Sequence, residues 1–206
     1  MPDTRKKIKT PKHEIILDVL YDFISIPDIP RNRDVFFRMC RDGCRNFNSK
    51  YSCPPCSPEF SRYVSGYDSA FVVLIKVDLS QLSCYKDYHR LRVGNAVIKP
   101  RIERIMRSLE KDVGGRFLST GACRLCKPCC KKKGMPCKNP ESMRYSLESM
   151  GVDCSKLSEK LFGLELKWYH DKTAPEYTSV ISGLAFKDKN RESIRSSFEM
   201  ILSSMK

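Results

Sequence analysis

The pattern of apolar and polar positions in the first third of the chain predicts both helices and strands. The stretch SAFVVLIKVDL, residues 69–79, is short and rich in β-branched residues, which indicates a central strand. HEIILDVLYDFI, residues 13–24, has apolar positions at helical spacing and predicts a helix that packs on the body. VFFRMC, residues 35–40, predicts a short strand leading into a group of cysteines.

The middle of the chain predicts a long helix between two strands. Helical periodicity runs from Cys84 to the Gly114–Gly115 stop signal, and Pro100 predicts a kink or a split within it. RFLSTGAC, residues 116–123, predicts a second strand that enters another group of cysteines. This order of strand, helix and strand predicts a right-handed βαβ unit with parallel strands.

The last third predicts three helices and two strands. The helices are NPESMRYSLESMG, SKLSEKLFG and NRESIRSSFEMILSSM, and the strands are LELKWYH and EYTSVISGLAF. Together these elements predict an α/β or α+β fold with a mixed central sheet, flanking helices and two cysteine-rich metal-binding loops. We expect a basic flexible tail over residues 1–12 and a single domain over residues 13–206, with cysteine loops at 40–56 and 123–140.

Charge and cysteine content narrow the chemistry. The formal net charge is +14, and the chain of 206 residues has 11 cysteines. The basic N-terminus lacks the apolar run of a secretory signal, and AFVVLIKVDL is too short to span a bilayer. We therefore expect no membrane association and a cytoplasmic location, where thiols stay reduced. The positive charge suits either solubility together with compensation of anionic metal centres, or an anionic partner such as RNA, a nucleotide, a phosphorylated metabolite or an acidic electron carrier.

The first cysteine group has the spacing of one metal site. Cys40, Cys44, Cys53 and Cys56 form a C-x₃-C-x₈-C-x₂-C arrangement, and Pro54-Pro55 stiffens the loop between the last two thiols. Four thiols within seventeen residues suit one ion or cluster with four ligands.

The second cysteine group begins as a bacterial ferredoxin does. Cys123, Cys126 and Cys129 are spaced at intervals of three, and Cys137 follows at a longer interval than in a ferredoxin. Neighbouring cysteines rarely bind one ion together, so either Cys129 or Cys130 is the ligand. Both groups suit [4Fe–4S] clusters or zinc, because each centre accepts four thiolates and spacing alone does not separate them.

The combined motif resembles a known family. YSCPPCSPE and GACRLCKPCC…GMPCKNPESMRYSLESMGVDC are similar to the prokaryotic predicted metal-binding proteins of domain-of-unknown-function family 2284, over roughly residues 30–190. The resemblance implies metal binding by an iron–sulfur centre and anaerobic source organisms, and it implies no particular reaction. The positions that match the family pattern are Cys40, Cys44, Cys53, Cys123, Cys126, Cys129, Cys137, Pro140, Glu141, Arg144, Ser146, Glu148 and Gly151. Cys56 and Cys130 match it least well.

These observations predict an iron–sulfur protein with one or two [4Fe–4S] clusters. It would act in electron transfer with a redox partner protein, or as an enzyme or accessory in redox or sulfur chemistry on an anionic small molecule. On the predicted helix after Cys137, Arg144 and Glu148 are four residues apart, which predicts an ordinary ion pair on one helical face. Alternatively, Arg144 and Ser146 are candidate residues for contacting the cofactor or substrate. The rival interpretation is a zinc-stabilised basic module that binds RNA or another anionic partner.

Overall fold

A computed structural model of the chain describes residues 3–205, which fold around one five-stranded antiparallel sheet. The strands are β1 (Asp3–Lys9), β2 (Glu14–Ser25), β3 (Ser69–Asp78), β4 (Arg116–Leu118) and β5 (Tyr177–Phe186). The helices are α1 (Arg33–Gly43), α2 (Phe60–Tyr63), α3 (Asp87–Val113), α4 (Cys154–Phe162) and α5 (Arg191–Ser203). The spatial strand order is β1-β2-β3-β5-β4. The expected α+β fold is confirmed, although neighbouring strands are antiparallel throughout and the sheet is not mixed.

The N-terminal segment departs most from the sequence predictions. Residues 14–25, predicted as a helix, form β2, because Ile15, Leu17, Val19 and Tyr21 alternate with more exposed positions at a period of two. The expected flexible tail over residues 1–12 contains β1, which pairs with β2 from Asp3↔Leu20 to Lys9↔Glu14. Residues 1 and 2 lie outside the described part. β1 is an edge strand, and its basic side chains protect it from pairing with other chains.

The predicted strand at VFFRMC is instead part of helix α1. Asn32 is its N-cap, and the Asn32 side chain accepts a hydrogen bond of 3.2 Å from the Val35 backbone N–H. The cap outweighs the strand preference of Val35 and its aromatic neighbours. The helix ends at Gly43, so Cys40 lies in its last turn and Cys44 caps it.

The sheet is covered on both faces, which explains why β3 is almost continuously apolar. Phe71, Val73 and Ile75 of β3 pack with α3 and α5 in one core. Val72 and Leu74, which alternate with them, pack on the opposite face with α4 and with Leu147, Met150 and Val152. Thus one face meets long helices, and the other meets a layer that leads to the cysteine loops.

The predicted βαβ unit is only partly present. β3 and β4 both pair antiparallel with β5, so they run in the same direction, but β5 lies between them. α3 connects them without a break at Pro100. The chain turns from α3 into β4 at Gly115, whose φ is +97°. A Cβ there would lie 2.5 Å from the Ala185 carbonyl oxygen, so this approach to β5 requires glycine.

Two predicted elements between residues 139 and 170 are absent from the described chain. NPESMRYSLESMG forms turns and one short 3₁₀ segment, Glu148–Met150, and not a helix. LELKWYH has no regular structure apart from an isolated bridge between His170 and Thr173, and it pairs with no strand of the sheet. By contrast, β3, β5, α4 and α5 lie where the sequence predicted them.

Candidate metal centre

Four of the predicted ligands line one small cavity. Cys123, Cys126, Cys129 and Cys137 surround a space of about 20 Å³, closed by Lys50, Tyr51, Ser52, Leu125, Asn139 and Met143. Cys130 is not part of this lining; it is buried at the start of a 3₁₀ turn and borders a different cavity. The geometry therefore favours Cys129 over Cys130 as the ligand of the neighbouring pair.

A side-chain amide already contacts one of these sulfurs. Asn139 Nδ2 donates to Cys126 Sγ at 3.0 Å. N–H groups directed at cysteine sulfur stabilise thiolate character and are typical surroundings of metal-bound cysteines. The sequence motif gave no reason to single out Asn139, which is one of the functional side chains that sequence reasoning missed.

Three thiols of the first cysteine segment are near one another. Cys53 is buried, and burial raises its pKa to about 11, with smaller contributions from the charges of Cys44 and Cys40. Burial also raises the pKa of Cys40, and the neighbouring Cys44 raises it further. Cys40 lies in the last turn of α1, Cys44 caps that helix, and both are close enough to Cys53 to affect its pKa.

Cys56 faces the second segment. Its Sγ accepts a hydrogen bond of 3.1 Å from Lys131 Nζ. Tyr145 lies near both Cys56 and Cys137; burial raises the Tyr145 pKa first, and the charges of these two thiols raise it further. The structure thus brings Cys56 toward the second group, and the prediction that it completes the first group stays a prediction.

The two cysteine segments are docked against each other, which the sequence did not reveal. Lys50 Nζ donates to the Cys123 carbonyl at 2.8 Å, and the Cys123 N–H donates to Ser52 Oγ at 2.9 Å. Tyr51 completes the contact by donating its hydroxyl to the Met135 carbonyl at 2.8 Å. Three consecutive residues of the first segment therefore hold the second segment in place, so the two cysteine segments form one region.

The thiol side chains do not converge on a common point. Within residues 3–205, no three Cys, His, Asp or Glu side chains converge closely enough to hold a single ion. All eleven cysteines are free thiols. Burial also raises the pKa of Cys123, so a metal that binds this sulfur must displace its proton.

Arg144 and Ser146 have mainly structural contacts. Arg144 Nε donates to both carboxylate oxygens of Glu110 at 2.7 and 3.1 Å, which ties the segment after Cys137 to α3. The pairing that we expected between Arg144 and Glu148 on a helix is absent, since no helix forms there. Ser146 is buried, and its Oγ accepts from the Ser149 N–H at 3.2 Å. Arg144 also borders a larger cavity beside Cys123, whereas Ser146 contacts no cysteine cavity.

Comparison with known proteins gives one result. The family model described as predicted metal-binding protein (DUF2284) matches residues 22–183, which include both cysteine segments. No curated protein and no solved structure gives a significant match. None of the helices between residues 3 and 205 has the length and apolar character needed to cross a membrane.

Proposed function

The chain belongs to this family of predicted metal-binding proteins, and from that premise we propose that it is an iron–sulfur protein. In this proposal Cys123, Cys126, Cys129 and Cys137 hold a [4Fe–4S] cluster. The observation that carries the proposal is that these four thiols, from a ferredoxin-like run and a more distant cysteine, line one cavity. The donor set suits the group, because iron–sulfur clusters take four cysteine thiolates.

When bound, such a cluster supplies one-electron transfer at a potential set by its surroundings. The residues of this chain contribute hydrogen bonds and positive charge. Asn139 donates to Cys126, and Lys50 is held beside Cys123 by its bond to the Cys123 carbonyl. Donors and cations near the sulfurs favour the more reduced, more negative state of a cluster. The physiological role in this proposal is electron transfer to a redox partner protein, or redox or sulfur chemistry on an anionic small molecule.

A second cluster is the natural extension of this proposal. Cys40, Cys44 and Cys53 lie together, and Cys56 is the remaining thiol of the same segment. Because Cys56 instead meets Lys131 of the other segment, the first group offers three thiols that are already near one another. A centre there would be completed by movement of Cys56 or by an external ligand.

The adjacent pair Cys129 and Cys130 allows a matched experiment. The chain is produced without oxygen, and iron, acid-labile sulfide and zinc are quantified in the native protein and in Cys129→Ser and Cys130→Ser. We expect brown protein with about four irons and four sulfides per cluster. Cys129→Ser should lose most of the iron of one cluster, and Cys130→Ser should retain it. Colourless protein without sulfide would overturn the iron–sulfur assignment, and equal iron loss in both variants would overturn the ligand assignment.

A specific observation favours zinc as the second candidate. The cavity that the four cysteines line together with six other residues has a volume of about 20 Å³, close to that of a single water, which accommodates one ion. In that case the protein is a zinc-stabilised basic module whose partner is RNA or another anion. One zinc per four thiols without sulfide, in the same quantification, is the result that would establish this candidate.

A further inference from the structure

A second, larger cavity lies on the other side of Cys123, between α3 and the loop that follows β4. It has a volume of about 480 Å³, within the usual range for sites that take small molecules. We call it the cationic cavity, since five of its side chains are basic. Its lining is Lys99, Pro100, Glu103, Arg104, Arg107, Ser119, Thr120, Ala122, Cys123, Arg124, Leu125 and Arg144.

Two of the five cations are already neutralised. Arg107 donates to Glu103 Oε1 from Nε at 2.8 Å and from NH2 at 2.7 Å. Arg144 is held by Glu110. Both guanidinium groups also donate to backbone carbonyls, so they form the wall of the cavity and are not free to bind a ligand.

The other three cations have no acidic partner. Within the described chain, no carboxylate lies within ion-pair distance of Lys99, Arg104 or Arg124. Burial lowers the pKa of Lys99 and the charge of Arg124 lowers it further, while the charge of Glu148, which lies beyond ion-pair distance, offsets part of this effect. The protein thus holds like charges together at the cost of mutual repulsion, which a bound anion would relieve.

We propose that the cationic cavity binds a small organic dianion, a phosphate monoester or a dicarboxylate, through Lys99, Arg104 and Arg124. Three unneutralised cations match about two negative charges, and arginine guanidinium groups bind phosphate and carboxylate oxygens in pairs. Pro100, Ala122 and Leu125 give the same cavity an apolar wall for the carbon skeleton of the ligand. A small molecule fits this concave and partly apolar lining, although Arg104 and Arg124 are exposed at its mouth.

The site shares Cys123 with the small cysteine cavity, so a bound dianion lies beside the proposed metal centre. The proposal does not depend on which metal the cysteines hold, because the binding groups are Lys99, Arg104 and Arg124. It extends the proposed function by giving the class of molecule on which a neighbouring centre would act.

The test is isothermal titration of the full-length, metal-loaded protein. Inorganic phosphate and malonate are titrated separately at constant ionic strength, with chloride as the reference anion. Lys99→Gln and Arg124→Gln each remove one cation from the cavity. Lys189→Gln, a matched lysine substitution, removes an exposed cation elsewhere. We expect Lys99→Gln and Arg124→Gln each to weaken binding about tenfold or more, because each substitution removes a charged hydrogen bond to the anion. Lys189→Gln should leave the affinity unchanged.

Each outcome decides something. Tighter binding of phosphate assigns a phosphate monoester, and tighter binding of malonate assigns a dicarboxylate. The proposal is overturned if neither anion binds, or if Lys189→Gln weakens binding as much as the cavity variants do. It is also overturned if only an RNA oligonucleotide binds and that binding depends on Lys99. Metal content is measured on the same samples. Loss of anion binding at full metal content is a failure of this site only, and absence of metal with intact anion binding is a failure of the metal proposal only.

Discussion

The sheet and the cysteine region of this protein are held together by different forces. The sheet core consists of β1–β5 with α3 and α5, and its largest side chains, such as Phe71 and Phe198, are completely buried. The cysteine region, residues 40–59 and 119–140, has little regular structure. Its two segments meet through single hydrogen bonds, such as that from Lys50 to the Cys123 carbonyl.

The contrast indicates which of the two regions a bound metal would stabilise. Burial of apolar surface stabilises the sheet core without any ligand. In the cysteine region, each hydrogen bond contributes only about 1 kcal/mol, and ordering the loops opposes folding by about 1–2 kcal/mol for each residue. In the proposed function, a metal centre that crosslinks the loops would supply additional stabilisation. We therefore expect the sheet core to fold without metal and the cysteine region to become ordered only when metal is bound.

Removing the metal should separate the two regions most strongly, since structural metal sites contribute on the order of 10 kcal/mol. We expect chelation, or Cys123→Ser, to increase amide hydrogen exchange at least about tenfold in residues 40–59 and 119–140. Amides of β3 and β5 should stay protected. The measurement is hydrogen exchange followed by mass spectrometry, before and after metal removal. A uniform increase over both regions would show that the sheet core depends on the metal as well.

A matched pair of phenylalanines tests the same contrast by mutation. Phe71→Ala empties a fully buried position among Tyr21, Phe23 and Phe198 and should lower the free energy of unfolding by about 3–5 kcal/mol. Phe47→Ala removes a partly exposed ring that packs edge-on against Phe37, with a centroid distance of 5.6 Å, and should cost only about 1 kcal/mol. Denaturant unfolding of both variants gives the two values. Similar losses would contradict the division into two regions.

The same division explains which parts of the fold the sequence could predict. β3, β5, α4 and α5 were predicted correctly because a buried strand and an amphipathic helix each leave a periodic apolar pattern. β2 was misread because residues 13–24 are apolar at so many positions that helical spacing and alternation both fit. Its strand structure follows from its pairing with the preceding strand β1 and with β3, which is distant in the sequence, and neither pairing is visible in the periodicity of the segment itself. α1 was missed because its cap, Asn32, outweighs the residues that favour a strand.

In the cysteine region, the sequence identified the candidate ligands but not their surroundings. Cysteine spacing gave the set Cys123, Cys126, Cys129 and Cys137, and these four line one cavity. Asn139 and Lys50 contact this group through side-chain bonds that no local pattern encodes. The approach of Cys56 to Lys131 likewise depends on how two distant loops dock.

Two adjacent glycines at the end of α3 test how tightly the sheet core is packed beside the cysteine loops. Both Gly114 and Gly115 have positive φ, but only a Cβ at Gly115 would collide with the sheet, 2.5 Å from the Ala185 carbonyl oxygen. Gly115→Ala should therefore lower the free energy of unfolding by about 3 kcal/mol, and Gly114→Ala by about 1 kcal/mol from backbone strain alone. Thermal or denaturant unfolding checks the difference. Equal values would mean that the turn can move away from β5.

The smallest expected effect concerns Cys154, a thiol in the apolar layer that packs on the sheet. It is fully buried on α4, and burial raises its pKa well above the ordinary value of 9.0. Below pH 9.0 the thiol is protonated in both the folded and the unfolded chain, so its contribution to stability is fully present. Above that value only the unfolded chain loses the proton, and the free energy of unfolding falls by about 1.4 kcal/mol for each further pH unit.

Replacing this thiol should remove that alkaline sensitivity. Cys154→Ala lowers stability at neutral pH, because it leaves a small cavity, but its free energy of unfolding should fall by about 1 kcal/mol less than that of the native chain between about pH 8 and about pH 10. Cys84→Ala, which removes an exposed thiol, is the control and should keep the native pH dependence. Denaturant unfolding of the metal-loaded proteins at several pH values measures the slopes. An unchanged slope in Cys154→Ala would mean that the buried thiol ionises without unfolding, so that the layer between the sheet and the cysteine loops is open to water.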